Sequence, residues 1–278
     1  MISGKAKVAG VMGWPVGHSR SPRLHSYWLA RHGIDGAYVP LAVAPENLEH
    51  AVRGLSALGF AGANVTIPHK EAVMPFLDDL DPAAERIGAV NTIVVQDGRL
   101  FGRNTDGFGF LENLKAGAPD WRADAGPAVV IGAGGAAKAV AWALLDAGVP
   151  ALQIVNRTAA RAEALADALD ATAQVTAWES RHEALGGAAL VVNTSALGMT
   201  GHPALDLDVG RLAGTAVVND IVYQPLETPL LAAARARGLT AVEGIGMLLH
   251  QGRPGFHAWF GVDPMVDADL RDYVLAGD

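Results

Sequence analysis

Cysteine is absent from the 278 residues, which excludes disulfides, thiolate metal sites and a cysteine nucleophile. Charge is sparse as well. Charged residues make up 18% of the chain, and 29 Asp and Glu outnumber 21 Lys and Arg, for a formal net charge of −8. That balance argues against a general affinity for nucleic acid or an anionic membrane, so an anionic ligand must find a local basic pocket. No apolar run is long enough to span a bilayer. Among the 9 histidines there is no H-x-x-x-H or H-E-x-x-H spacing. His18, His25 and His69 therefore read as hydrogen-bonding scaffold rather than ligands, and no metal is expected. Neither Ser19 nor Ser195 sits in a G-x-S-x-G turn, which speaks against a hydrolase. Lys5 and Lys7 before an apolar stretch at 8–16 only faintly imitate a signal peptide. The stretch is short, holds Trp14-Pro15 and lacks a convincing cleavage site, so a first strand and a cytoplasmic location are expected.

Half of the residues are hydrophobic, enough for a substantial core, and the length allows one large domain or two of ordinary size. The pattern predicts a strand at 7–13 and a helix from Ser21 (N-cap) and Pro22 to about 32. A strand at 37–43, a helix at 45–58, a strand at 62–67 and a helix at about 69–77 follow. Such alternation implies parallel strands with helices on the sheet faces. A short helix at 81–87 leads to strands at 91–95 and 99–103 around Asp97-Gly98, a hairpin signal. A helix at 105–114 and a polar passage at 117–127 carry the chain into a second alternating region. Its strands lie near 128–131, 151–155, 188–193, 215–222 and 239–242. The helices predicted at 246–260 and 264–276 have no strands of their own to cover, so they are expected to return to the first domain. The reading is α/β with two domains: 1–108 completed by 245–278, and a doubly wound domain at 109–244. Trp14, Trp28 and Trp142 are expected in cores.

The most informative stretch is the apolar run 128–131, bounded by Gly126-Pro127, with glycines directly after it. Gly132, Gly134 and Ala137 fit G-x-G-x-x-G/A between a strand and a helix predicted at 139–146. The loop Gly132, Ala133, Gly134, Gly135 and Ala136 would bring backbone N–H groups at a helix start towards a pyrophosphate. An ordinary glycine-rich turn is the alternative. The second strand ends in Asn156-Arg157-Thr158, with Arg161 one turn on and no carboxylate at that point. An acid there would repel a 2′-phosphate, whereas arginine binds it in a charge-assisted way, so the cofactor reads as NADP rather than NAD. Thr158 capping the helix at 159–169 beside solvated arginines is compatible with that reading.

Four polar clusters stand at or near predicted strand ends, where ligands bind in α/β sheets. They are His18-Ser19-Arg20-Ser21-Pro22; Asn64-Val65-Thr66-Ile67-Pro68-His69-Lys70; Ala89-Val90-Asn91-Thr92; and Gly102-Arg103-Asn104-Thr105-Asp106-Gly107. Capping and turn formation explain each alone, but hardly all four in one domain. With Asn193-Thr194-Ser195-x-x-Gly198-Met199, Asp220-x-x-Tyr223-x-Pro225-x-x-Thr228-Pro229-Leu230 and Gly244-x-Gly246-Met247-Leu248-x-x-Gln251-Gly252, the chain resembles the shikimate dehydrogenase family over almost its whole length. Ser26 departs from the usual Asn of the first motif.

The resemblance implies a Rossmann-type NADP-binding domain beside an α/β substrate domain. It also implies reversible NADPH-dependent reduction of 3-dehydroshikimate to shikimate, by a monomer or homodimer. Carried over by motif, Lys70 is the catalytic acid/base and Asp106 its partner. Ser19 and Ser21, helped by Tyr223, would hold the substrate carboxylate. Asn64, Thr66, Asn91, Asp106 and Gln251 complete the substrate set. Thr194, Ile221, Gly244 and Met247 join the cofactor set, although core packing equally accounts for Met247. A free lysine has a pKa near ~10.4; Asp106 would raise it and burial would lower it. A quinate/shikimate dehydrogenase using NAD is the nearest alternative. A non-catalytic metabolite sensor on the same fold is a further one, though it would be expected to lose Lys70 or Asp106.

Overall fold

A computed structural model describes residues 2–169 and 172–276. The chain forms two compact units, Met1–Thr105 with Leu249–Asp278, and Asp106–Leu248.

The first unit begins with β1 (Lys7–Gly13), α1 (Ser21–Arg31), β2 (Gly36–Ala42), α2 (Leu48–Ala57), β3 (Phe60–Val65) and α3 (His69–Ala72). β4 (Asp79–Leu80), α4 (Pro82–Ile87), β5 (Thr92–Gln96) and β6 (Arg99–Arg103) follow. The sheet order is β2-β1-β3-β5-β6-β4, with β1 parallel to β2 and β3, and β5 antiparallel to β3 and β6. The β5–β6 turn has Asp97 at φ 52° and Gly98 at φ 79°. Both are left-handed, as the tight hairpin turn signalled by Asp-Gly requires. Met12, Val52, Ala63, Val65 and Ile93 are among the residues closing the core between sheet and helices. Two predicted helices are broken: 45–58 opens as a 3-10 turn at Pro45–Asn47, and 69–77 ends in another at Met74–Phe76. Each has a proline in its first positions, where a missing N–H is harmless.

The second unit consists of α5 (Asp106–Gly117), β7 (Ala128–Ile131), α6 (Gly135–Asp146), β8 (Leu152–Val155), α7 (Ala159–Ala168), β9 (Ala173–Thr176), β10 (Leu190–Asn193), β11 (Val217–Asp220), α8 (Pro229–Ala236) and β12 (Thr240–Val242). Its sheet is parallel in the order β12-β11-β10-β7-β8-β9, the doubly wound arrangement whose switch point lies beside the first strand. Side chains alternate across it. Ala128 and Val130 join one core with Phe110, Leu114 and Leu144, while Val129 and Ile131 join the other with Val218 and Leu231. Residues 106–108, assigned to the first domain from the sequence, belong here. A Cβ on Gly107 would lie 3.1 Å from the Ala139 carbonyl oxygen, so α5 packs closely on α6. β9 was not foreseen, its AQVT segment having no fully buried residue.

The chain then enters α9 (Ile245–Phe260) and α10 (Ala268–Leu275). From Leu249 on, these belong to the first unit. Phe256 and Trp259 are buried with Trp28, and Trp259 Nε1 donates to the Ile93 carbonyl at 3.0 Å. Gly62 (φ 153°) lies under this indole, and any Cβ there would collide with Ile93 O and Trp259 Nε1. Arg20 Nη1 donates to Val274 O at 2.9 Å and Arg23 Nη2 to Tyr273 O at 2.6 Å, tying cations to the last carbonyls of α10. Trp28 is fully buried and Trp142 packs partly buried against a core, but Trp14 is 48% exposed. Trp14 lies one residue past β1, beyond the reach of strand alternation. Among the described residues no helix is long and apolar enough to cross a membrane.

Candidate active site

In the first unit the polar residues at the strand ends form one network. Asn91 is buried; its Nδ2 donates to Thr105 Oγ1 at 3.0 Å and to Gln251 Oε1 at 2.9 Å. Its Oδ1 accepts from Thr105 N at 2.9 Å and from Thr92 Oγ1 at 3.0 Å. Thr105 Oγ1 also donates to the Gln251 carbonyl at 2.8 Å. Gln251 is thereby fixed to the end of β5 although 160 residues separate it from Asn91. Asn64 is equally engaged: Nδ2 donates to Asn91 O and Thr92 Oγ1, both at 3.1 Å, and Oδ1 accepts from Tyr38 Oη at 2.6 Å. Both donors of the Asn64 amide are thus used within the protein, which makes it a brace for Asn91.

Ser21, expected as N-cap, is the first helical residue of α1. Arg20 already has helical dihedrals (φ −85°, ψ −5°) and no side chain caps the helix. Ser19 Oγ accepts from Ser21 N at 3.3 Å. Tyr38 is stacked on His25, ring centroids 4.0 Å apart and planes 11° from parallel. Burial pushes the Tyr38 phenol well up and the His25 imidazole, whose ring nitrogens have no hydrogen-bond partner, down to about 3. The phenol is therefore protonated and the imidazole neutral at pH 7. His69, also buried, approaches the Val43 carbonyl with Nε2 at 2.7 Å. That contact anchors the short helix carrying Lys70, whose own carbonyl accepts from Val90 N at 2.8 Å. Thr66 sits against Gly13, where a Cβ would come 2.5 Å from its methyl. His18 is exposed. Among the described residues no group of three or more His, Cys, Asp or Glu side chains could hold a metal.

The second unit carries the glycine loop. α6 starts at Gly135, earlier than the predicted 139, so its first turn lies inside the motif. Gly132 has φ 117°, and a Cβ there would lie 2.5 Å from Thr194 Oγ1; only glycine fits. A Cβ on Gly134 or Gly135 would meet no protein atom within 4 Å. That shape, open backbone at the start of a 12-residue helix, is a cradle suited to a diphosphate. Thr194 donates through Oγ1 to Ile131 O at 2.8 Å, holding the end of β10 to that of β7. At the end of β8, Asn156 Nδ2 donates to Thr158 O at 2.9 Å. Thr158 stands at the N-cap of α7 but makes no capping bond with its side chain. Arg157 and Arg161 are exposed beside it. Gly244 is packed so tightly on the Ile221 carbonyl that a Cβ would collide with it, which brings these two residues together. Met247 packs partly buried against the α5–α6 core.

Asp106 opens α5 directly after Thr105 and is buried; Tyr223 is half-buried in the segment after β11. The start of that segment is fixed by Asp220, which has no exposed surface. Its carboxylate accepts from Asn193 Nδ2 at 2.9 Å, Val222 N at 3.0 Å and Thr228 Oγ1 at 2.7 Å. Burial outweighs these bonds and pushes its pKa up to about 6. Tyr38, Thr92, Thr105 and Asn193 went unmarked as site residues in the sequence, because a polar residue within or beside a strand reads as packing or turn.

A family model described as "Shikimate dehydrogenase substrate binding domain" matches residues 11–93, and one described as "Shikimate / quinate 5-dehydrogenase" matches residues 121–199. A Rhodospirillum rubrum protein named "Shikimate dehydrogenase (NADP(+))" is 67% identical over 99% of both chains. A Paramagnetospirillum magneticum protein of the same name is 62% identical over 99% of this chain and 100% of its own. Among solved structures, shikimate 5-dehydrogenase from Thermus thermophilus with NADP(H) and shikimate is 38% identical, with TM-score 0.86 over 97% of this chain and 99% of that one. Quinate dehydrogenase from Corynebacterium glutamicum with NAD is 33% identical, with TM-score 0.91 over 98% and 99%.

Proposed function

The chain belongs to the shikimate dehydrogenase family, and from that premise we propose that it catalyses the reversible NADPH-dependent reduction of 3-dehydroshikimate to shikimate, on the way to chorismate and the aromatic amino acids. The observation that carries this reading is the whole-length likeness to relatives named for that activity. The open backbone of Gly134 and Gly135 at the start of α6, with Arg157 and Arg161 past β8 and no acid among residues 156–161, suits a cofactor bearing a 2′-phosphate. Gly132, Ala133 and Ala136 complete the diphosphate loop, Asn156 and Thr158 flank the phosphate, and Thr194, Ile221, Gly244 and Met247 border the nicotinamide. Bound NADPH supplies the hydride.

The chain's own residues do the rest. Ser19 and Ser21, with Tyr223, hold the carboxylate of the substrate. Thr66, Asn91, Asp106 and Gln251 bond its hydroxyls, Asn91 and Gln251 held at fixed spacing by their mutual bond, with Asn64 bracing Asn91 from behind. Lys70 stabilises the charge that develops on the carbonyl oxygen and delivers the proton to it. Asp106 orients the lysine and grips a hydroxyl. In the reverse direction Lys70 accepts the proton. The same reading puts the enzyme in the cytoplasm, as a monomer or homodimer.

Initial rates with shikimate and quinate, each with NADP and NAD, test the proposal. Strong preference for shikimate with NADP is expected. Comparable turnover of quinate with NAD would move the chain to the quinate branch, and no turnover with any pair would overturn the enzyme reading.

A further inference from the structure

Asp220 shares a motif with Tyr223, yet no part of it is exposed, so its carboxylate touches no ligand. What it touches is the loop that carries the tyrosine. Oδ1 accepts from Val222 N at 3.0 Å and from Asn193 Nδ2 at 2.9 Å, while Oδ2 accepts from Thr228 Oγ1 at 2.7 Å. Val222 precedes Tyr223 and Thr228 ends the segment before α8, so one carboxylate closes this loop on itself. A second loop folds around the same group. Asn193, also fully buried, donates from Nδ2 to Leu197 O at 3.0 Å, and its Oδ1 accepts from Ser195 N at 3.0 Å and Ser195 Oγ at 2.7 Å. A carboxylate accepts and cannot donate, so it fixes which end of the Asn193 amide faces it and which end faces Ser195. Two backbone bonds repeat the tie, Ile221 N to Asn193 O at 3.0 Å and Thr200 N to Gln224 O at 2.8 Å. Half-buried Tyr223 is thereby bracketed, by Asp220 through Val222 on one side and by Thr200 through Gln224 on the other.

We propose that Asp220 is a positioning residue for the substrate carboxylate, acting through the loop that carries Tyr223. Its two oxygens hold both ends of that loop and the neighbouring turn at 193–197 in one arrangement, so the phenol meets the anion already ordered. Without those ties the substrate must order the loop as it binds, and affinity falls by the cost of doing so. An acceptor oxygen at the Oδ1 position is enough to keep Val222 and Asn193 in place, so Asn serves there and Ala does not. The inference rests on the assignment of Tyr223 to the substrate carboxylate.

A double-mutant cycle on the whole enzyme tests it, with KM and kcat for shikimate measured for Asp220→Ala, Asp220→Asn and Tyr223→Phe, and for each Asp220 variant combined with Tyr223→Phe. Asp220→Ala is expected to raise KM about tenfold, the effect of two ordinary hydrogen bonds, with kcat changing much less. Asp220→Asn stays close to the parent. In the Tyr223→Phe background the change to Ala no longer moves KM. Affinity for adenosine 2′,5′-bisphosphate, which reads the arginine end of the cofactor site by calorimetry, is expected to be the same in Asp220→Ala as in the parent. If Ala raises KM by the same factor in both backgrounds, or if bisphosphate affinity falls with it, Asp220 supports the unit as a whole and the proposal is wrong. Failure of Asn to preserve KM overturns it too. If Tyr223→Phe itself leaves KM unmoved, the carboxylate assignment fails and the inference falls with it. Should Asp220→Ala prevent folding, Thr228→Val removes one hydroxyl and frees one end of the loop. It is expected to raise KM about fivefold in the Tyr223 enzyme, with Thr228→Ser restoring it; no change, or an equal change in Tyr223→Phe, would overturn the proposal.

Discussion

Replacing Asp220 by Asn reshapes how the stability of the second unit depends on pH. The carboxyl group is fully buried, and burial raises its pKa from 3.8 to about 6. A raised value in the folded state means that the native protein binds the proton more tightly than the unfolded chain. Its contribution to stability is therefore complete below pH 3.8 and lost as the pH climbs through about 6. At ~1.4 kcal/mol per pKa unit, the ionised form at pH 7 costs the fold about 3 kcal/mol. Asn is nearly isosteric. Its carbonyl oxygen would still accept from Asn193 Nδ2 and Val222 N, and its amide would donate to Thr228 Oγ1, now 2.7 Å from a carboxylate oxygen. The difference in unfolding free energy between Asp220→Asn and the parent should therefore move in favour of Asn by up to about 3 kcal/mol from pH 4 to pH 7. Urea unfolding of the ligand-free protein, read by hydrogen exchange of the β10 and β11 amides, isolates the right unit. A difference that stays flat across that range, or moves in favour of Asp, refutes the reasoning.

Lys70→Ala is expected to lower kcat about 10²- to 10⁴-fold, as removal of a general acid does, with KM changing far less; near-parental turnover in steady-state assays would remove Lys70 from the chemistry. Gly134→Ala should leave thermal unfolding unchanged, since the backbone there is extended and a Cβ meets no protein atom within 4 Å. The same change should weaken NADP binding at least about tenfold, by intruding on the phosphate cradle; undiminished affinity by calorimetry would place the diphosphate elsewhere. Gly62→Ala forces a Cβ into the Ile93 carbonyl and the Trp259 indole. A loss of about 3 kcal/mol or more is expected, seen as a lower unfolding midpoint with a red-shifted tryptophan emission.

Much of the architecture was legible because the parallel strands are short apolar runs that bury both faces, and glycines mark their ends. Asp97-Gly98 announced the hairpin through a conformation that few other pairs adopt. Segments held by contacts instead of pattern were harder to see. β9 is half-exposed, β4 has two residues, and the boundary at Asp106 depends on Gly107 meeting Ala139 in space. At the site, glycine and lysine positions could be listed from motifs, but not which polar side chains serve the others. Nothing local tells that the amides of Asn64 and Asn91 both bond inside the protein. Nor does a tyrosine within an ordinary strand advertise that its hydroxyl bonds Asn64. Ser21 itself misled by resembling a helix cap, because Arg20 had already entered the helical region.

The return of α9 and α10 to the sheet of the first unit has a consequence for synthesis. As the polypeptide leaves the ribosome, β1 to β6 emerge first, but Trp259, Gln251 and the carbonyls awaiting Arg20 do not yet exist. The continuous stretch Asp106–Leu248 can meanwhile complete its own sheet, since domains generally fold as units during synthesis. The unit begun first is thus finished last. A chain halted at Leu248 would hold a finished doubly wound unit and a substrate domain without Gln251, so cofactor affinity would arise during translation well before turnover does.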